Sequence, residues 1–569
     1  MRVATLAVIS FAVVACRPST APSPMTGFDL VISGGRIVDG TGNAWYYGDV
    51  GIRGDRIVTI APSGMLASAH SREHVRLSRH MVVAPGFIDI QGHSLSLLLF
   101  GDTRIPGKVT QGVTTEILGE GATPAPITRA EAERLSNDPQ TSANANLWRQ
   151  FAEPRGFGNY LKAMEARSPS INVGSFVGAG TIREFGMAER MGPATGAALD
   201  SMRAAVARAM QDGAFGMASA LIYPPSNFAG TQELIEEARA MAPYRGLYIT
   251  HMRSEADRLL EAIDEAIRIG VEGGVPVEIF HLKAAGRRNW PKMAQAVAKI
   301  DSARRLGIDV QANMYPYAAG GTGLTACLPP SVSADGKLFD NLRDSSVRRR
   351  IHEEVRRDTG EWENMCLLAT PEGVMIARTT NPANAQFQGK RLSEIAAATG
   401  KHYLDAAMDL ILSENSRVET IYFLMSEENV RSQLQLPWIK WGTDAGGPDP
   451  ANVRGMLHPR SYGTYPRILG RYVRDERVLP LEDAVRKASS AVATRLMIKE
   501  RGLVREGYFA DLVVFDPGTI IDRATFEQPL QLSTGVSHVW VNGVQVLRDG
   551  QHTGARPGRV LRGPGYGSR

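Results

Sequence analysis

His251 and His281 carry the strongest chemical signal in the chain. His251 follows the apolar run Leu247-Tyr248-Ile249-Thr250, and His281 follows Val277-Glu278-Ile279-Phe280. Carboxylates stand at comparable positions elsewhere. Glu116 and Glu120 lie in the stretch Gly112 to Gly121, and Asp444 follows Trp441-Gly442-Thr443. His93 comes just after a further apolar run, Gly86 to Ile90. Two imidazoles and one or two carboxylates are what a catalytic zinc needs while keeping an open position for water. A further carboxylate can take the proton from that water, so the residue types point to metal-assisted hydrolysis.

Those residues act together only if the fold gathers them. Between the two histidines the sequence has helical spacing. Ser254 and Asp257 are placed like a capping box, Leu260, Ile263 and Ile267 share one face, and Gly270 is the expected stop. Strand, helix, strand is a βαβ unit whose parallel strands end at one face, so His251 and His281 meet there. Strand-like runs recur at Gly86 to Ile90, Thr114 to Leu118, Ser175 to Val177, Gly216 to Ala218, Leu247 to Thr250, Val277 to Phe280, Ile308 to Asn313 and Ile439 to Gly442. Eight such strands predict a (β/α)8 barrel over residues 85–500, an α/β fold whose chemistry sits at the C-terminal ends of its strands. The long interval from Ala319 to Pro437 breaks the spacing and predicts a helical insertion, about 330–436, covering that face. Short β-runs with turn dipeptides fill 28–84 and return in 501–555, so the two chain ends are expected to build one small β-sandwich. The Arg-, Gly- and Pro-rich residues 556–569 read as a flexible tail.

The 569 residues, 43% hydrophobic and 22% charged, suit a large soluble domain with satellites. The formal charge of +5 is spread along the chain without a dense basic block, which argues against nucleic acid as a partner. Arg2 and the apolar run Val3 to Ala15, too short to span a bilayer, have the form of a secretory signal over residues 1–15. Val13-Val14-Ala15-Cys16 resembles a bacterial lipoprotein signal. It makes Cys16 the expected lipidation site, followed by a linker over 16–27, and the mature chain an exported, periplasmic or membrane-anchored protein. A start at Met25 would instead leave it cytoplasmic. Beyond Cys16 the chain has only Cys327 and Cys366, too few for a disulfide framework, so the core must supply the stability.

Longer strings around these residues carry a family resemblance. GFIDIQGH at 86–93, GVTTEILGEG at 112–121, GAFGMASALIYPP at 213–225, THMRSE at 250–255, FHLKAAG at 280–286, YPY at 315–317, GTDAG at 442–446 and HPRSYGTYPRIL at 458–469 occur in family order. In these motifs, from about residue 28 to 560, the chain resembles the amidohydrolase superfamily and within it the N-acyl-D-amino-acid deacylases. The resemblance implies zinc dependence and hydrolysis of the amide of an N-acyl-D-amino acid. It matches His251 and His281 to zinc ligands, Asp444 to the catalytic aspartate, Lys283 and Arg460 to the grip on the substrate carboxylate, and Tyr315 to the pocket lining. Two departures shape the expected site. Gln91 replaces the first histidine of the family's His-x-His, which leaves His93 as a lone ligand there and argues against a second, outer metal. The family's bridging cysteine is absent, and Glu120 is its nearest counterpart, favoured over Glu116 because it follows its strand. The expected set is Glu120, His251 and His281 on one zinc, with Asp444 as base. A cyclic-amide hydrolase or dipeptidase on the same scaffold, and a binding lipoprotein without catalysis, are the alternatives.

Overall fold

A computed structural model describes residues 27–188 and 190–568. The expected signal peptide and Cys16 lie outside the described residues. Among the described residues no helix is long and apolar enough to cross a membrane.

Eight short parallel strands form the centre: β1 (Phe87–Asp89), β2 (Val113–Leu118), β3 (Asn172–Ser175), β4 (Gly216–Ala220), β5 (Leu247–His251), β6 (Val277–Ile279), β7 (Val310–Met314) and β8 (Ile439–Trp441). They are buried over nearly their whole length, as strands covered on both faces must be. β1 pairs with β2 and β2 with β3, while β4 to β8 pair in sequence. Val177–Gly178, just after β3, pairs with β4, and a Gly92–Ala445 bridge joins the ends of β1 and β8, which closes the barrel. The helix between β5 and β6 runs Leu259–Gly273 and buries Leu259, Ile263, Ala266 and Ile269 against the barrel. It begins beyond the Ser254–Asp257 pair and continues through Gly270. Ser254 Oγ instead accepts from the N–H groups of Ala256 and Arg258 in the preceding turn, and Gly274 at φ +69° ends the helix.

Strands from both chain ends share one sheet. Val82–Pro85 pairs antiparallel with Leu512–Phe515, placing Val83 opposite Val514. Leu30, Ile32, Val50, Ile57, Leu512 and Trp540 fill its core.

The segment between β7 and β8 is not simply helical, and its folded unit begins before 330. Gly320–Gly323, Glu419–Tyr422 and Val374–Arg378 form a three-stranded antiparallel sheet, with helices Ser345–Arg357, Leu392–Thr399 and Tyr403–Glu414 around a separate core. Gly-Gly-Thr-Gly offers no apolar alternation, so its strand role comes from pairing rather than from its own pattern. The helix Glu427–Leu434 buries Val430 and Leu434 in the barrel core and belongs to the barrel. Cys327 and Cys366 are joined by a disulfide across 39 positions inside this unit. Replacing both with serine is expected to lower the unit's stability by about 2–4 kcal/mol, read as an earlier urea transition.

Residues 556–568 are not a free tail. Gly558 N–H donates to Pro169 O, Leu561 N–H to Val173 O and Gly563 N–H to Gly213 O, while Val173 N–H donates to Arg559 O. The glycines that suggested flexibility permit this contact: a Cβ at Gly558 would stand 2.0 Å from Ile171 O, and one at Gly563 2.1 Å from Ala214 O.

Candidate metal and catalytic site

The parallel register places His251 at the end of β5 opposite Ala220 of β4, and Thr250 opposite Ile279 of β6, so His281 emerges beside it. The two rings lie 4.5 Å apart and nearly perpendicular. His281 and Asp444 both have left-handed backbones, at φ +33° and +50°. Such geometry is costly for residues other than glycine and persists only where the surroundings enforce it. Here His281 N–H donates to Asn313 Oδ1 at 2.9 Å, and Asp444 N–H to Gln91 O at 2.8 Å.

Glu120 stands between these groups. Its Oε1 lies 3.3 Å from His251 Nδ1 and 3.1 Å from His281 Nε2. Zinc bonds of about 2.0–2.1 Å at tetrahedral angles require ligand atoms roughly 3.3 Å apart, so both carboxylate–histidine spacings suit the ion. Its Oε2 accepts from Gln91 Nε2 at 2.6 Å and lies 3.2 Å from His93 Nε2, which is also 3.0 Å from Asp444 Oδ1. His93, Glu120 and Asp444 thus form a second donor group, with His93 at the open mouth and Gln91 already engaging the shared carboxylate. Burial opposes a charged carboxylate at Glu120, but the adjacent histidines outweigh it and hold the group well below the usual carboxylate range. Burial likewise opposes charge on His281, yet Glu255 and Glu120 push it up to about 9, despite Lys283. The pocket therefore favours positive charge where a metal would sit.

Asp444 Oδ2 is 2.6 Å from Arg460 Nη1. Burial raises its carboxyl, and the Arg460 charge, aided by His93, overrides this and lowers it. Arg460 also donates from Nη2 to Gly321 O of the insertion at 3.3 Å, and its buried Nε has no partner among the described residues. Its guanidinium carbon lies 4.6 Å from the centre of the Tyr315 ring, with Lys283 Nζ 5.9 Å from the same centre. Lys283, read from the sequence as a substrate contact, instead directs two hydrogen bonds of 2.7 Å to Glu255 and lies 2.7 Å from His281 Nδ1. Tyr223 stacks edge-on against His251 and donates to Thr322 Oγ1 at 2.8 Å, completing a wall from the insertion. His458 donates from Nε2 to Ala319 O and accepts at Nδ1 from Arg460 N–H, shaping the loop that carries Arg460.

Glu116 does not join the metal donors. It lies beneath the site, wholly buried, with Asp89 and Lys108. Lys108 Nζ donates to Asp89 Oδ2 at 2.5 Å, Thr443 Oγ1 at 2.6 Å and Ala445 O at 2.7 Å, gripping the residues on either side of Asp444. Nothing in the sequence distinguishes Lys108 from a surface lysine. Lys108→Met is expected to cost about 3–5 kcal/mol in urea unfolding, because it strands two buried carboxylates without a counter-ion. Glu255 was equally hidden, although its place four residues after His251 in THMRSE is the kind of spacing that brings a carboxylate back to a histidine.

Comparison with known proteins agrees with this geometry. Residues 379–547 match the family model described as Amidohydrolase family. Over 535 residues the chain is 34% identical to a D-aminoacylase of Alcaligenes xylosoxydans xylosoxydans, covering 94% of this chain and 97% of that protein. It is 33% identical to an N-acyl-D-glutamate deacylase of the same organism, over 94% of this chain and 96% of that protein. A solved N-acyl-D-glutamate deacylase from Bordetella bronchiseptica, complexed with zinc and a phosphonate mimic of the tetrahedral intermediate, superposes with a TM-score of 0.77. That match has 32% identity and covers 94% of this chain and all of the other.

Proposed function

The chain belongs to the amidohydrolases, in the group of D-aminoacylases and N-acyl-D-amino-acid deacylases, and from that premise we propose that it removes the acyl group from N-acyl-D-amino acids in a zinc-dependent hydrolysis. The observation that carries the reading is the meeting of Glu120, His251 and His281 at zinc-ligand spacing, with Asp444 and Arg460 facing them. Zinc held there would supply a Lewis acid for the acyl carbonyl and for the attacking water. Asp444 takes the proton from that water and delivers it to the leaving amine. Arg460 receives the α-carboxylate, for which its unpartnered Nε and planar fork are suited, and the positive charge of Lys283 adds to the attraction. Tyr315 forms the floor between these two cations. Holding the carboxylate sets which amide bond meets Asp444, a positioning effect. One zinc suffices, since Gln91 occupies the oxygen of Glu120 that a second ion would share.

The test is a panel of N-acyl-D- and N-acyl-L-amino acids, hydantoins and dipeptides given to the purified protein, with bound metal measured. Release of free D-amino acid, lost on chelation and restored by about one equivalent of zinc, is the expected result. Hydrolysis confined to hydantoins or dipeptides would reject the substrate class. For the cellular site we propose export and lipid anchoring at Cys16. The Cys327–Cys366 disulfide supports it, because such bonds persist in oxidising compartments. Mass analysis of the mature N-terminus would show a lipidated Cys16, and an unprocessed Met1 or a start at Met25 would exclude it.

A further inference from the structure

We propose that Glu255 is the positioning residue of the metal site, a carboxylate that fixes the His281 ring from behind and sets the charge beside the far nitrogen of His251. The inference rests on the zinc reading above. Each imidazole presents one nitrogen to Glu120 and the other to Glu255. For His281 these are Nε2 at 3.1 Å from Glu120 Oε1 and Nδ1 at 2.9 Å from Glu255 Oε1. For His251, Nδ1 is 3.3 Å from Glu120 Oε1, and Nε2 is 3.4 Å from Glu255 Oε2, an ion-pair distance without a hydrogen bond. A neutral imidazole has one donor and one acceptor nitrogen, so a carboxylate on the far side draws the N–H there and leaves the near lone pair for a metal. Glu255 thereby favours the His281 tautomer whose Nε2 lone pair faces Glu120, and it also holds Lys283, whose Nζ lies 2.7 Å from the same Nδ1.

The surroundings keep this carboxylate in place. Glu255 is 1% exposed, and Lys283 Nζ donates to both its oxygens at 2.7 Å. Its backbone N–H donates to the buried Glu363 carboxylate from the insertion, and its carbonyl accepts from Ala285 N–H at 2.7 Å. The insertion thus takes part in supporting the metal site as well as covering it. Glu255 is not itself a ligand in this arrangement, because the ammonium of Lys283 fills the place where a second cation would bind its oxygens.

Zinc competition with a chelator on metal-free protein tests this without reference to turnover, together with the visible spectrum of the cobalt-substituted form. Glu255→Gln is expected to weaken zinc about 10- to 100-fold and to change the cobalt spectrum. Glu255→Asp, which keeps the charge on a side chain too short to hold His281 Nδ1, should fall between Gln and wild type. Circular dichroism of the metal-free variants reports folding, and Glu255→Asp carries the test alone if the Gln variant does not fold. Wild-type zinc affinity and an unchanged cobalt spectrum in the folded variants would overturn the assignment. Wild-type protein that binds no zinc would instead refute the proposed function, so the two failures are distinguishable.

Discussion

Asp444→Asn is expected to lower kcat by about 10²- to 10⁴-fold, the range of a positioned general base, while leaving zinc content at the wild-type level. Asparagine preserves shape and removes the proton acceptor. Zinc is retained because Asp444 stands apart from the group formed by Glu120, His251 and His281. KM should stay the same or fall. In the free protein Asp444 pairs with Arg460 at 2.6 Å, so it competes with the substrate carboxylate for the same guanidinium. A split between kcat and KM in this direction separates lost proton transfer from damage to the pocket, which would raise KM. Steady-state kinetics and metal analysis on the same preparation decide it. Turnover near wild type would remove Asp444 from the chemistry.

The parts of the site legible in the sequence are those whose position follows from strand parity. Because parallel strands end at one face, an imidazole closing each of two neighbouring apolar runs had to meet the other, and Asp444 after β8 had to join them. Glu120 was separable from Glu116 on the same ground: one follows the strand and the other lies within it, where it became the buried partner of Lys108. The residues that stayed hidden act through contacts that sequence distance conceals. Glu363 reaches Glu255 only because the insertion folds back over the barrel. Lys108 is a buried ion of a type ordinarily exposed, and its partners Asp89 and Thr443 come from the first and last barrel strands, adjacent in space but far apart in sequence. Glycine misled at 556–568, where it reads as a flexible tail although its missing side chain allows the backbone to approach closely, and at 320–323 Gly-Gly-Thr-Gly gives no strand pattern yet pairs as one.

Glu120→Gln is expected to abolish zinc retention, with a loss of affinity beyond the roughly 10- to 100-fold that removing an orienting partner costs. The amide has the size of the carboxylate but brings a neutral oxygen, a weak ligand beside two imidazoles. Glu120 also meets more of the site than any neighbour described here, touching Gln91, His93, His251 and His281 within 3.3 Å. Its replacement therefore disconnects the mouth of the pocket from His251 and His281. Glu120→Cys supplies the decisive contrast, because a thiolate is an anionic zinc ligand with a bond of about 2.3 Å. If Glu120 serves as the anionic ligand in place of the family's cysteine, the Cys variant should regain zinc binding that the Gln variant lacks. Chelator competition on the two variants, run beside wild type, reads this directly. Equal zinc affinity in wild type and Glu120→Gln would leave His251 and His281 to hold the ion without Glu120 and would refute its place among the ligands.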